Sequence, residues 1–126
     1  MADEITVTQA LGLANGTLDS FSIPAYTFRV TQATAVPVRV GGTQVIGHAA
    51  HEALALTDLT TLGVAYFRNR SATNFVQIGV EVAATFYPLV RLNPGEAWMF
   101  RFAQGITPYA QANTAAVVLQ REILDN

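Results

Sequence analysis

Between residues 69 and 102 apolar and polar positions alternate in three runs separated by short breaks. Val76, Ile78, Val80 and Val82 alternate with Gln77, Gly79 and Glu81. Phe86, Pro88, Val90 and Leu92 alternate with Thr85, Tyr87, Leu89 and Arg91. Trp98, Phe100 and Phe102 alternate with Met99 and Arg101. A period of two places each apolar set on one face of a β-strand. The pattern therefore predicts three strands with Val76, Ile78, Val80, Phe86, Val90, Trp98 and Phe100 in a core. The break Asn93-Pro94-Gly95-Glu96 predicts a type II turn, with Pro94 presetting φ and Gly95 supplying a positive φ at the third position. If the flanking strands paired across this turn, Arg91 and Arg101 would be close like charges. Each would then need an acid, Glu81 or Glu96, or a partner chain.

The same period extends along the chain. Ile5-Thr6-Val7-Thr8 begins a strand that can run through Leu11 and Leu13, and Asn15-Gly16 is a strong hairpin signal. Residues 17–23 return as a second strand. Pro24 marks an edge or a bend, and Tyr26, Phe28 and Val30 form a third run opposite Thr27, Arg29 and Thr31. Residues 36–40, with Pro37, read as an edge strand followed by a Gly41-Gly42 turn, with residues 43–46 on its far side. Residues 48–61 contain helix formers and read as one or two helical turns or as a loop over one end of a sandwich. Leu62 to Asn69 alternate again, and the last strand spans about residues 115–123 with Val117, Leu119 and Ile123 on one face. Eight to ten short strands with regular turn signals predict an all-β fold, an antiparallel β-sandwich or barrel, with a sandwich in the form of an eight-stranded jelly roll as the expected one. With no repeat, linker or low-complexity tract, residues 1–126 read as one domain.

Charge and composition change the picture in one respect. Only 13% of residues are charged against 51% hydrophobic, and the formal net charge is −2. A folded monomer of this mass exposes roughly 6,500 Å², so its charges are sparsely spread and some apolar surface is expected to stay uncovered. Such patches mark partner surfaces, which predicts self-association or docking onto something larger. All seven basic residues are Arg, the side chain better suited to packed contacts. No basic run exists to neutralise phosphates, which argues against nucleic acid as a partner. No apolar run approaches a membrane span, and Asp3 and Glu4 do not begin a signal peptide, so synthesis and folding in a cytoplasm are expected.

Candidate chemistry is sparse. His48, His51 and Glu52 are the one cluster of metal-ligating residue types. It lacks a third strong ligand, and a solvated loop is the simpler reading. No Ser sits in a Gly-x-Ser-x-Gly elbow, no pair of acids stands out for sugar cleavage, and the glycines near Gly41 do not open a phosphate-binding helix. The chain has no Cys, hence neither a disulfide nor a thiolate nucleophile. Asn15-Gly16-Thr17 and Asn69-Arg70-Ser71 match a glycosylation sequon but read as turn chemistry. No catalytic, cofactor-binding or metal residue is assigned, and a non-enzymatic role is expected. An exposed aromatic platform at Trp98 or Tyr87 would instead point to a ligand- or glycan-binding module.

Three blocks carry a resemblance: Asn74-Phe75-Val76-Gln77-Ile78-Gly79-Val80, Phe86-Tyr87-Pro88-Leu89-Val90-Arg91-Leu92-Asn93-Pro94-Gly95-Glu96, and residues 110–120, reading AQANTAAVVLQ. These resemble small β-rich virion proteins encoded among the head and tail genes of tailed bacteriophages, over about the second half of the chain. The resemblance implies a jelly roll that decorates or cements a capsid, or a tail adaptor. It implies a small homo-oligomer with a trimer favoured, the major capsid protein of the shell as partner, and a final location in the virion. The termini, residues 1–4 and 124–126, are candidate arms for such docking.

Overall fold

Eleven strands and no helix form among the described residues of the computed structural model, which describes residues 5–16, 19–32, 39–57 and 59–126. The chain divides into two units, residues 1–35 and residues 36–126.

The first unit is a long hairpin of β1 (Ile5–Asn15) and β2 (Asp19–Val30). The two runs expected before and after Pro24 are a single strand. Both strands of a two-stranded ribbon are edges, so Pro24 can sit in β2 without removing a ladder bond. A register shift between Gln9 and Leu11 absorbs the irregularity, because β1 advances from Gln9 to Leu11 while β2 steps from Tyr26 to Ile23. The extra residue falls on β2, so β1 keeps its period. Opposite residues share a face. One face therefore carries the pairs Ile5–Val30, Val7–Phe28, Gln9–Tyr26, Leu11–Ile23 and Leu13–Phe21. The other carries Thr6–Arg29, Thr8–Thr27, Gly12–Ser22 and Ala14–Ser20, with a 2.8 Å hydrogen bond between the Thr8 and Thr27 hydroxyls.

The second unit is a β-sandwich of two antiparallel sheets. One sheet has the order β5 (Glu52–Ala53), β10 (Tyr109–Ala112), β7 (Val76–Val82), β8 (Thr85–Leu92). In the other, β11 (Val117–Asp125) pairs on one side with β3 (Arg39–Val40) and β4 (Thr43–Ile46), and on the other with β6 (Leu62–Asn69), which pairs β9 (Ala97–Arg101). Gly41-Gly42 is not the expected reversal. Val40 faces Ile123 and Thr43 faces Gln120 in a common register along β11, and the Arg121 N–H donates to the Gly42 carbonyl at 2.9 Å. β3 and β4 are thus two pieces of one interrupted strand, and Gly42, at φ +98°, bends it locally. Of the expected strand at residues 36–40, residues 36–38 lie outside the described residues, as do residues 1–4.

The core between the sheets centres on Ile46, Phe67, Val76, Val117, Leu119 and Ile123, all fully buried. Val76, Ile78, Val117 and Leu119 are buried as the alternation predicts, and Val80, Val90 and Phe100 are half-buried. Phe86 departs from it. A bulge in β8 sets Ile78 opposite Val90 but Gly79 opposite Pro88, so that Phe86 faces Glu81 on the outer side of the sheet. Leu89, the inserted residue, is turned out and 73% exposed. Gly79 makes the bulge possible, since a Cβ there would lie 2.8 Å from the Pro88 Cα and closer still to the Tyr87 carbonyl oxygen. Gly79→Ala is expected to lower stability by about 1–3 kcal/mol, as overpacking against unyielding backbone does. Urea titration checks this, and an unchanged midpoint would mean that β8 can shift freely.

The C-terminal end is not a free arm. Leu124 pairs with Arg39 and Asp125 with Leu62. The Thr61 hydroxyl donates to Asp125 Oδ1 at 2.6 Å, and the Asn126 N–H donates to the Thr61 carbonyl at 3.2 Å.

Candidate functional site

Residues 48–61 form a loop with one two-residue strand, β5, rather than helical turns. With no helix to repeat at 3.6 residues, His48, His51 and Glu52 do not share a face. The His48 side chain is exposed, and its carbonyl accepts from Gln111 Nε2 at 3.0 Å. Glu52 turns to Gln44 Nε2 and the Gly47 N–H, each at 3.4 Å. His51 reaches across the outer face of the sheet that β5 borders, where Nε2 lies 2.5 Å from Glu81 Oε2. Its ring stacks on Phe86, with centroids 5.4 Å apart and 12° between planes, and meets Tyr109 edge-on at 5.6 Å. This group pins the β5 loop onto β7, β8 and β10. It exists because the β8 bulge sends Phe86 outward. Among the described residues no three His, Asp or Glu side chains converge as metal ligands do.

The Asn93-Pro94-Gly95-Glu96 turn connects strands of different sheets, so Arg91 and Arg101 are not cross-strand neighbours. Arg91 is in β8 opposite Gln77, and Arg101 is in β9 opposite Val64. The Arg91 guanidinium lies 3.8 Å from the centre of the Phe75 ring and donates through Nε to Asn93 Oδ1 at 3.0 Å. Arg101 hydrogen-bonds Asn126 Oδ1. Gly95 has φ +80°, as a type II turn requires. The turn is tied to buried Asn69. The Gly95 N–H donates to the Asn69 carbonyl at 3.1 Å and the Asn69 N–H to the Glu96 carbonyl at 2.9 Å. Asn69 is fully buried, so its sequon is structural.

Alternation along β11 puts Arg121 on the same inward face as Leu119 and Ile123, a position the sequence reading overlooked. Arg121 is buried, and its Nε donates to the Ala55 carbonyl at 3.4 Å, holding the loop from inside.

Part of the exposed apolar surface lies along one side of the sandwich, apart from Val45, Val82 and Val118. β8 and β9 are the free edges of their sheets, and Tyr87, Leu89 and Trp98 on them are all more than half exposed. Trp98 faces Phe67 across the β6–β9 pair, so its face is the inward one that its period predicts. Among the described residues no strand lies beyond β9, and the ring is 55% exposed. An apolar cleft of about 240 Å³ opens between the sheets here, lined by Ile78, Val80, Val90, Phe100, Phe102 and Ile106 among others. It is smaller than the ~300–1,000 Å³ of small-molecule sites and lacks their converging polar groups. Comparison with family models, with curated proteins and with solved structures finds no match to this chain.

Proposed function

We propose that this chain is a structural protein of a tailed-phage virion, a decoration or cement protein that self-associates and binds the outside of the head shell where capsomers meet. The observation that carries this reading is the pair of uncovered apolar surfaces. One is the hairpin face of Leu11, Leu13, Phe21, Ile23 and Tyr26, and the other is the β8–β9 side of the sandwich with Tyr87, Leu89 and Trp98. A protein that stiffens seams must hold more than one neighbour. Each docked contact then raises the effective concentration of the next. The fold supports the reading. With β3 and β4 counted as one strand, eight strands divide into two four-stranded sheets, and successive strands change sheet at every step except β7–β8. We read this order as a jelly roll. Such a role needs shaped apolar surface rather than an active site or a cofactor. In this reading the major capsid protein is the partner, a trimer is the favoured assembly, and the protein is made in the host cytoplasm and ends in the virion.

The test compares particles prepared with and without the protein. Particles that carry it are expected to hold their DNA to higher temperature. The protein is expected to stay bound in moderate salt, because burial of apolar area is screened far less than charge pairing. Equal DNA release, with cryo-microscopy density on the tail or nowhere on the particle, overturns the cement role. Exposure of Trp98 and Tyr87 favours a second reading, a glycan-binding module in which these rings stack on sugar faces. Saturable quenching of Trp98 fluorescence by an oligosaccharide, with no binding to shells, would decide for it.

A further inference from the structure

The β1–β2 hairpin has a pattern that its own unit cannot satisfy. An isolated two-stranded hairpin is at best marginally stable in water, and a face of large apolar side chains needs a second layer. Val7 is buried near the base of the ribbon, yet Leu11, Leu13, Phe21, Ile23, Tyr26 and Phe28 stay between 36% and 69% exposed. All six lie on one face, while the opposite face is built of Thr, Ser, Gly, Ala and Arg29.

We infer that the apolar face of this hairpin packs against the same face of a second copy of the chain. This deepens the virion reading by naming the surface through which its copies assemble. Three observations select a second copy as the occupant. The first is area. The exposed parts of the six side chains amount to on the order of 600 Å² of apolar surface, close to the ~800 Å² that each partner contributes to a standard interface. The second is charge. From Ile5–Val30 to Leu13–Phe21 the paired positions of the apolar face include Gln9 as their one polar residue and no charged one, and the Asn15–Asp19 pair follows only at the turn end. Isologous packing sets identical patches against each other, and over this stretch it opposes no like charges. The third is edge chemistry. Pro24 takes a backbone donor from β2, and the register shift twists the ribbon nearby. Both features blunt edge-to-edge strand addition. On the β2 edge these features disfavour strand addition, which leaves the apolar face, packed by two hairpins or by three around an axis, as the favoured route.

The experiment uses the full chain. Light scattering after size exclusion, across a dilution series, is expected to give a dimer or trimer for the natural sequence. Leu11→Thr/Phe21→Thr/Ile23→Thr keeps β-compatible residues on the ribbon. It is expected to weaken self-association at least ~100-fold, the scale at which buried anchor residues act, while far-UV circular dichroism and melting of the sandwich hold. A natural chain that is monomeric at high concentration overturns the inference, as does a folded triple variant that still assembles. Should the triple variant not fold, cysteine cross-linking decides, since the chain contains no Cys. Leu13→Cys on the apolar face is expected to cross-link between copies with a short bis-maleimide, and Ser22→Cys on the polar face is not. Equal yields from the two overturn the inference. A monomer that instead floats with phosphatidylcholine vesicles assigns the face to lipid and also overturns it. An oligomer that assembles through the hairpin but ignores phage shells overturns the virion reading alone, and a monomer that binds shells overturns this inference alone.

Discussion

Phe67→Ala is expected to destabilise the sandwich by about 3–5 kcal/mol, the range for truncating a fully buried aromatic side chain. Phe67 lies in β6, a central strand held by β11 on one side and β9 on the other. Its ring stacks on Phe100 with centroids 5.6 Å apart and meets Phe102 nearly perpendicular at 6.2 Å, while Phe100 and Phe102 meet edge-on at 4.9 Å. Truncation removes two aromatic pairs, each worth about 0.5–1.5 kcal/mol beyond its area, and leaves a hole between two hydrogen-bonded sheets that cannot close on it. Trp98→Ala, opposite Phe67 in the register but half exposed, serves as the control and is expected to cost far less. Urea unfolding of both variants makes the comparison. Similar losses would show that Trp98 is as much a part of the core as Phe67.

Asn69→Ala is expected to cost a similar amount, about 3–5 kcal/mol, for a polar reason. The Asn69 amide group donates to the Asn74 carbonyl at 2.8 Å and to the Leu92 carbonyl at 3.0 Å, and its Oδ1 accepts from the Ser71 N–H at 2.8 Å. A single side chain joins the end of β6, the following loop and the end of β8. Removing it strands three polar groups around a fully buried position, each costing about 1–3 kcal/mol when unsatisfied. Asn69→Asp separates shape from hydrogen bonding. It keeps the volume but turns a two-proton donor into an acceptor aimed at two carbonyls, so it is expected to be no better than alanine. Thermal melting ranks the variants. A stable Asn69→Asp protein would mean that volume alone holds this corner, and the hydrogen-bond account of the Asn69 side chain would fall with it.

These two residues also show where sequence suffices. The alternation in residues 62–69, 76–82 and 117–123 is enough to draw strands and to pick Val76, Ile78, Val117 and Leu119 as core. A side-chain period of two is a local property of extended backbone, and each of these strands has neighbours on both sides to bury what it points inward. The Pro94-Gly95 turn is legible for the same reason, since its φ values are demanded by two adjacent residues. Sparse charge and the amphipathic hairpin pattern are likewise written in the chain.

Everything that depends on which strand lies beside which was decided by the tertiary structure. The bulge that turns Phe86 outward to stack under His51 is an insertion in the pairing of β7 with β8, and a period measured along one strand does not contain it. Gly41-Gly42 carries the chemistry of a reversal, yet β3 and β4 share one register on β11 because that strand offers both pieces a continuous ladder. Trp98 has the period of a core residue and is half exposed because β9 is an edge. His48, His51 and Glu52 are neighbours in sequence and take separate partners in space. Alternation states which side chains share a face. Whether that face is covered depends on a second layer, and the backbone positions of that layer come from distant parts of the chain.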